Sequence, residues 1–290
     1  MVLGLLSAMR PVQWTKNIFV LAPLVFAQAL VEATSVQRAA WAFVAFCLAS
    51  SAVYLVNDIR DRDEDRRHPL KRNRPFAAGT VPISLGAITA AALATGSLLI
   101  ANQLNRSTAL VVALYLFLNL LYSSGLKRVV ILDVLMISLG FVLRVLGGGE
   151  AIGVEVSAWL LMCTVFVSLL LALSKRRHEL ILLADEAADQ RQVLGQYSAA
   201  FLDQMVNVVT ASSVISYALY AVAPETIERF GGRGLAYTLP FVLFGVFRYL
   251  FLIYQRKTRR NPTEALLRDL PFLVNMALWA SAVLWIVYVA

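Results

Sequence analysis

Charge is scarce in this chain. Only 15% of its 290 residues are Asp, Glu, Lys or Arg, while 59% are hydrophobic and mean hydropathy is +0.71. A soluble domain carries about 25% charged residues. The composition therefore excludes an ordinary soluble protein and points to a polytopic one lodged in a membrane bilayer. Cysteine and histidine are scarcer still, with two of each. Cys47 and Cys163 both lie in apolar runs and read as packed thiols, which leaves no disulfide framework. Two histidines leave no Cys/His zinc site. P-loop, GxSxG, HExxH and dinucleotide-binding patterns are all missing. The first 30 residues also lack a small-residue cleavage site after a short apolar core, so no secretory leader is expected.

What is present is apolar length. Nine runs stand out: 12–30, 39–56, 82–101, 107–124, 129–147, 157–174, 205–223, 236–254 and 271–289. They are too long and too uniform to be strands. Backbone groups in lipid must be bonded internally, so the runs are expected to be transmembrane helices. The first is interrupted near its start by Gln13, Lys16 and Asn17. The expected class is all-α, one nine-helix domain over residues 1–290.

Assigning the loops alternately to two sides places 20 of the 26 Lys and Arg on the N-terminal side and four on the other. That bias explains the net charge of +8 without nucleic acid and puts the N-terminal side in the cytoplasm, with the C-terminus outside. The two longest loops on that side, 57–81 and 175–204, follow the second and sixth runs. Their four-run separation hints at an internal duplication.

The first of these loops carries the chemistry. Residues 57–75, NDIRDRDEDRRHPLKRNRP, hold five acids and seven Lys or Arg. Asp58, Asp61 and Asp65 follow i, i+3, i+7 spacing and fall within about 60° of one another on a helix. Clustered carboxylates repel unless a cation sits among them, and hard oxygen ligands favour Mg2+, which commonly takes one or two carboxylates plus substrate phosphates. Asn57 could add an amide contact. Arg66, Arg67, Lys71, Arg72 and Arg74 follow at once, and guanidinium forks match phosphate oxygens. The blander readings are a solvated, salt-bridged juxtamembrane helix for the acids and lipid-headgroup anchoring for the bases. Pro69 and Pro75 prevent a continuous helix here.

Further candidates gather at the same membrane side. RPVQWTKN (10–17) brings Arg10, Trp14 and Lys16 there. LYSSGLKR (121–128) brings Tyr122 and Lys127, which could equally be an interfacial aromatic and a snorkelling lysine. Asp133 and Arg144 lie inside the fifth run, where ionisable groups are expensive and functional by default. No pairing between them follows from spacing. Gly147, Gly148 and Gly149 end that run and would let it break or bend. After the sixth run, Lys175, Arg176 and Glu179 share a helix face, a basic counterpart to the acidic loop. A metal on the first loop and cations on the second would clamp a polyphosphate. Arg248 lies inside the eighth run. Glu264, Arg268 and Asp269, before the last run, read as a solvated face.

These residues resemble the UbiA superfamily of intramembrane prenyltransferases. Asn57, Asp58, Asp61 and Asp65 match its N-D-x-x-D-x-x-x-D motif after the second helix, and the likeness covers nearly the whole chain. Within the superfamily, RP-x-QW-x-KN, the 57–79 segment, YSSGLK, GFVLR (140–144), SKRRHEL and LRD (267–269) are similar to the branch that transfers phosphoribose to polyprenyl (decaprenyl-like) phosphates. Members acting on aromatic acceptors carry a second aspartate motif after helix 6, where this chain has Lys175, Arg176 and Glu179.

The resemblance implies a helical bundle around a central cavity. It also implies a plasma (inner) membrane location and a Mg2+-dependent transfer from phosphoribosyl diphosphate to a polyprenyl phosphate, supplying arabinan precursors. Asp58, Asp61 and Asp65 would hold the metal. Bases of 66–74 would hold the sugar's phosphate or the diphosphate, and Lys16, Lys127, Lys175 and Arg176 the lipid phosphate. The competing expectations are an aromatic prenyltransferase using a prenyl diphosphate and, from a different class, a transporter.

Overall fold

The computed structural model describes residues 1–67, 71–183, 193–255 and 265–289. His68 and Pro69 of the charged stretch, Glu264, and parts of both long loops lie outside the described residues. Among those described, the secondary structure is helical throughout, and the chain divides into two compact units, Met1–Val156 and Ser157–Ala290.

The first unit opens with α1 (Val2–Met9), a 3-10 helix over Pro11–Leu21, α2 (Ala22–Phe26) and a 3-10 turn at Ala29–Val31. Then come α3 (Ala33–Arg60), the short α4 (Arg62–Arg67), α5 (Ile83–Leu104), α6 (Arg106–Ser124) and α7 (Leu132–Ile152). The second unit holds α8 (Ala158–Leu183), α9 (Ala199–Val222), α10 (Pro224–Arg229), α11 (Leu239–Tyr254) and α12 (Leu270–Tyr288).

Eight of these helical stretches are long and apolar enough to cross a membrane, and they fall on the second to ninth apolar runs. The first run is helical in pieces. Pro11 and Pro23 open two of them, and each removes a backbone donor that a continuous α-helix would use. Gln28 then turns the chain through left-handed backbone, φ 59°.

In the first unit α3 is the axis. Ala42, Ala45, Phe46, Ala49 and Val53 lie in one core cluster with Val20, Ala101, Val112, Tyr115, Leu143 and Ala151 from its neighbours. Small residues along α3 let the flanking backbones approach, which is how helices associate without a hydrophobic driving force. The glycine run of α7 serves the same purpose and does not break the helix, which continues to Ile152. A Cβ at Gly147 would fall 2.5 Å from the Phe46 ring, and one at Gly148 only 1.9 Å from the Val20 carbonyl oxygen. These glycines are contact surfaces, not hinges.

Helix ends are satisfied by side chains. Arg38 donates to Ala151 O at 2.6 Å and Leu104 O at 3.0 Å, closing the C-terminal ends of α7 and α5, as a cation at a helix C-terminus should. Asn105 caps α6 through Thr108 N at 2.7 Å. In the second unit, Ser198 caps α9 and Asp269 caps α12. Asp269 is not on a solvated face. It is buried and accepts both arms of the Arg248 guanidinium at 2.9 Å. Arg248 supplies the charge that lets a carboxylate sit there.

Candidate active site

The last turn of α3, α4, the segment 71–81 and the link from α6 to α7 bring the charged stretch together in the first unit. Asp61 is the C-cap of α3. Backbone bonds from Asp61 N to Asn57 O (2.9 Å) and from Asp65 N to Asp61 O (2.8 Å) carry helical geometry across the junction into α4. The acids therefore keep roughly the shared face that their spacing predicts. Asp58 and Asp65 are buried, Asp61 is half-buried, and Asp63 and Glu64 point to solvent.

Each motif carboxylate is held by a base. Arg74 Nη1 donates to Asp65 Oδ2 at 2.8 Å and to Asp58 Oδ1 at 3.1 Å. Arg10 Nη2 donates to the same Asp58 oxygen. Lys127 Nζ donates to Asp61 Oδ1. The three acids do not converge on one point, and among the described residues no group of three or more His, Cys, Asp or Glu is gathered as a metal site. Asp58 and Asp65 instead converge on one guanidinium nitrogen. Two carboxylates already meeting at one positive centre, with a third beside them on an ammonium, are a donor set that suits a hard divalent cation.

The surroundings complete the picture. Asn57 Oδ1 accepts from Ser123 Oγ on α6, next to Tyr122, which is half-buried. Arg66 donates to Ala77 O at 3.0 Å and pairs with exposed Asp63 at 3.3 Å. Arg67 and Arg72 are exposed and Lys71 is half-buried. A hydrogen bond from Arg62 and that guanidinium's charge hold the Asp63 carboxyl below its usual value.

Deeper in the unit, Arg144 is buried and bonded to neutral acceptors: Asn17 Oδ1 at 2.7 Å, Gly140 O at 2.7 Å and Tyr115 OH at 2.9 Å. Its guanidinium also lies 4.8 Å from the Tyr115 ring centroid. It does not pair with Asp133, which is itself fully buried at the start of α7. Arg10 reaches Asp58, and Lys16 precedes Asn17, the acceptor of Arg144, on the 3-10 helix Pro11–Leu21 that Arg10 caps. Positive charges gathered on and against one segment make a field that attracts an anion.

In the second unit, Glu179 accepts from Arg176 at 2.8 Å and lies 3.7 Å from Lys175. Arg176 is buried and Lys175 is half-buried. Arg177 faces elsewhere, onto Asp203 and over the Tyr254 ring, whose hydroxyl also donates to Asp203 at 3.1 Å.

Sequence reasoning had brought Arg10 to this membrane side without a partner, and had assigned no role at the site to Tyr54, Asn17, Tyr115 or Ser123. Tyr54 could have been found, since it lies one turn before Asp58 on α3. The others reach the site only through tertiary packing.

A family model for the UbiA prenyltransferase family matches residues 18–288. The chain is 34% identical over 293 aligned residues to a decaprenyl-phosphate phosphoribosyltransferase of Corynebacterium glutamicum, covering 99% of this chain and 87% of that one. It is 39% identical over 229 residues to the protein of the same name from Mycolicibacterium smegmatis, covering 78% of this chain and 72% of that one. A UbiA homolog from Archaeoglobus fulgidus, solved bound to GPP and Mg2+, shares the fold with a TM-score of 0.75 at 20% identity, over 99% of this chain and all of the other. An N-D-x-x-D-x-x-x-D face at the end of a buried helix, the nine apolar runs and a family match over residues 18–288 agree: the chain belongs to the UbiA prenyltransferase family.

Proposed function

We propose that this protein moves 5-phosphoribose from phosphoribosyl diphosphate to a polyprenyl phosphate, giving polyprenyl-phosphoryl-5-phosphoribose and diphosphate. The observation that carries the reading is the near full-length similarity to decaprenyl-phosphate phosphoribosyltransferases. The second unit supports it. Where aromatic prenyltransferases would need a second set of acids, Glu179 is already engaged by Lys175 and Arg176.

In this reading Asp58 and Asp61, supported by Asp65, hold Mg2+. The bound cation would neutralise charge developing on the leaving diphosphate. The chain's own groups do the rest. Arg74, with Arg66, Arg67, Lys71 and Arg72 along the same segment, binds phosphate oxygens of the donor, and Asn57 orients the ligand end of α3. Lys16, Lys127 and Arg144 supply positive charge on the inner side. Lys175 and Arg176 supply it in the second unit, where Glu179 fixes their direction. Tyr122 offers a ring and a hydroxyl beside the Asn57–Ser123 bond.

A phosphate oxygen of the lipid attacks C1 of the ribose as the bond from C1 to the diphosphate oxygen breaks, and the electron pair leaves with diphosphate. A phosphate monoester is already anionic at neutral pH, so no strong general base is required. Rate enhancement comes from holding two anions in line and from charge placed where the leaving group develops it. In this reading the Lys and Arg bias supports a cytoplasmic setting, at a plasma membrane, for this end of the first unit.

The test is incubation of the purified protein with labelled phosphoribosyl diphosphate, Mg2+ and a polyprenyl phosphate, followed by lipid extraction. Label in the organic phase, lost with EDTA and regained with Mg2+, is the expected result. Transfer of a prenyl group from a prenyl diphosphate to 4-hydroxybenzoate, with no label in the lipid, would replace this reading by aromatic prenyl transfer.

A further inference from the structure

Arg10 is mounted with care for a residue in a terminal segment. It caps α1 in left-handed backbone, φ 54°, a conformation uncommon for a residue with a side chain. Two bonds stitch its segment to α3: Ser51 Oγ donates to Met9 O at 3.1 Å, and Trp14 Nε1 donates to Ser51 Oγ at 3.0 Å. One turn further along α3, the Arg10 guanidinium lies 4.9 Å from the Tyr54 ring centroid, and one turn beyond that it reaches Asp58. Ser51, Tyr54 and Asp58 form a single stripe on α3, and all three hold the one segment.

The charges balance without any ligand. Arg10, Arg74 and Lys127 are spread over Asp58, Asp65 and Asp61. A divalent cation arriving alone at these acids must displace bases that then lose their partners in a partly buried place. A polyphosphate arriving alone strips the bases and leaves buried carboxylates unpaired. Either half-step is costly. Arrival of both exchanges every pair at once.

We propose that Arg10 is a charge-exchange residue, which guards the Asp58 carboxylate against metal alone and turns to the polyphosphate when metal and anion bind together. The inference rests on the metal assignment made above. Its consequence is reciprocal coupling: anion raises metal affinity and metal raises anion affinity by the same factor.

The experiment is a titration of the purified full-length protein with Mn2+, read by EPR, with and without methylenediphosphonate. Arg10→Gln is expected to bind Mn2+ alone at least about 5-fold more tightly than the parent and to gain less from the diphosphonate, the size expected of such coupling. Arg10→Lys, which keeps the charge with a shorter reach, is expected to fall between them. Unchanged or weaker Mn2+ binding by Arg10→Gln, in protein that remains monodisperse, would overturn the exchange. Asp58→Asn separates the two ideas. If it leaves Mn2+ binding intact, the metal assignment itself fails. If it abolishes binding while Arg10→Gln changes nothing, only the role of Arg10 fails.

Discussion

Arg144 Nε donates to Asn17 Oδ1 at 2.7 Å, joining residues 127 apart in the chain. The bond ties α7 to the 3-10 segment that also carries Lys16. Asn17 in turn donates to Cys47 Sγ at 3.2 Å and Ser50 Oγ at 3.3 Å on α3. One amide thus links three elements and orients a buried cation.

Asn17→Ala is expected to leave the Arg144 Nε–H without its acceptor. A buried donor deprived of its partner costs about 1–3 kcal/mol. Thermal unfolding in detergent should show a lower Tm, and the Michaelis constant for phosphoribosyl diphosphate should rise. A Tm equal to the parent's would remove Asn17 from the frame of the site.

Asp58→Asn and Asp61→Asn each remove a charge proposed to meet the metal. Both are expected to lower lipid-phosphoribose formation by about 100-fold or more, in line with loss of one strong electrostatic contact in an active site. Membrane insertion and solution behaviour should persist. Full turnover in either variant would remove that carboxylate from the metal set.

Lys175 and Arg176 are expected to separate in their effects. Lys175 is half-buried, less covered than Arg176, and its contact with Glu179 is long, so Lys175→Ala should raise the Michaelis constant with little change in Tm. Arg176 is buried against Glu179. Arg176→Ala should lower both substrate affinity and Tm, because a large buried side chain is lost with its charge. Steady-state kinetics beside thermal melts decides the point, and unchanged kinetics in both variants would end their assignment to phosphate.

Gly148→Ala should damage the fold although it adds one methyl group. Its Cβ would press on the Val20 carbonyl, and backbone yields less readily than a flexible side chain. Overpacking costs about 1–3 kcal/mol and sometimes more. A lower Tm is expected together with weaker substrate binding, as the segment bearing Lys16 and Asn17 is pushed away. A variant as stable as the parent would show that α7 moves freely there.

Helix positions were legible because lipid demands length and apolarity, and both are written along the chain. The run at 12–30, already interrupted by Gln13, Lys16 and Asn17, folded in pieces, since Pro11 opens the 3-10 helix that leads into it and Pro23 within it removes a donor that a hydropathy average does not weigh. The acidic face was legible from its spacing. Its partners were not. Asp58 with Arg10, Asp61 with Lys127 and Arg144 with Asn17 lie 48, 66 and 127 residues apart. Spacing fixes which side chains share a face on one helix, while helix rotation and crossing fix what that face meets. Asp269 looked solvated for the same reason, its partner Arg248 lying on a different helix.

The close approach of Gly148 to Val20 also bears on the order of biogenesis. The segment bearing Lys16 and Asn17 leaves the ribosome before α7, and α3 can receive it early through Cys47 and Ser50. The tight seat at Gly148 and the buried Arg144 cation arrive only with α7. The basic half of the site in this unit is therefore completed only when α7 packs against a segment made before it.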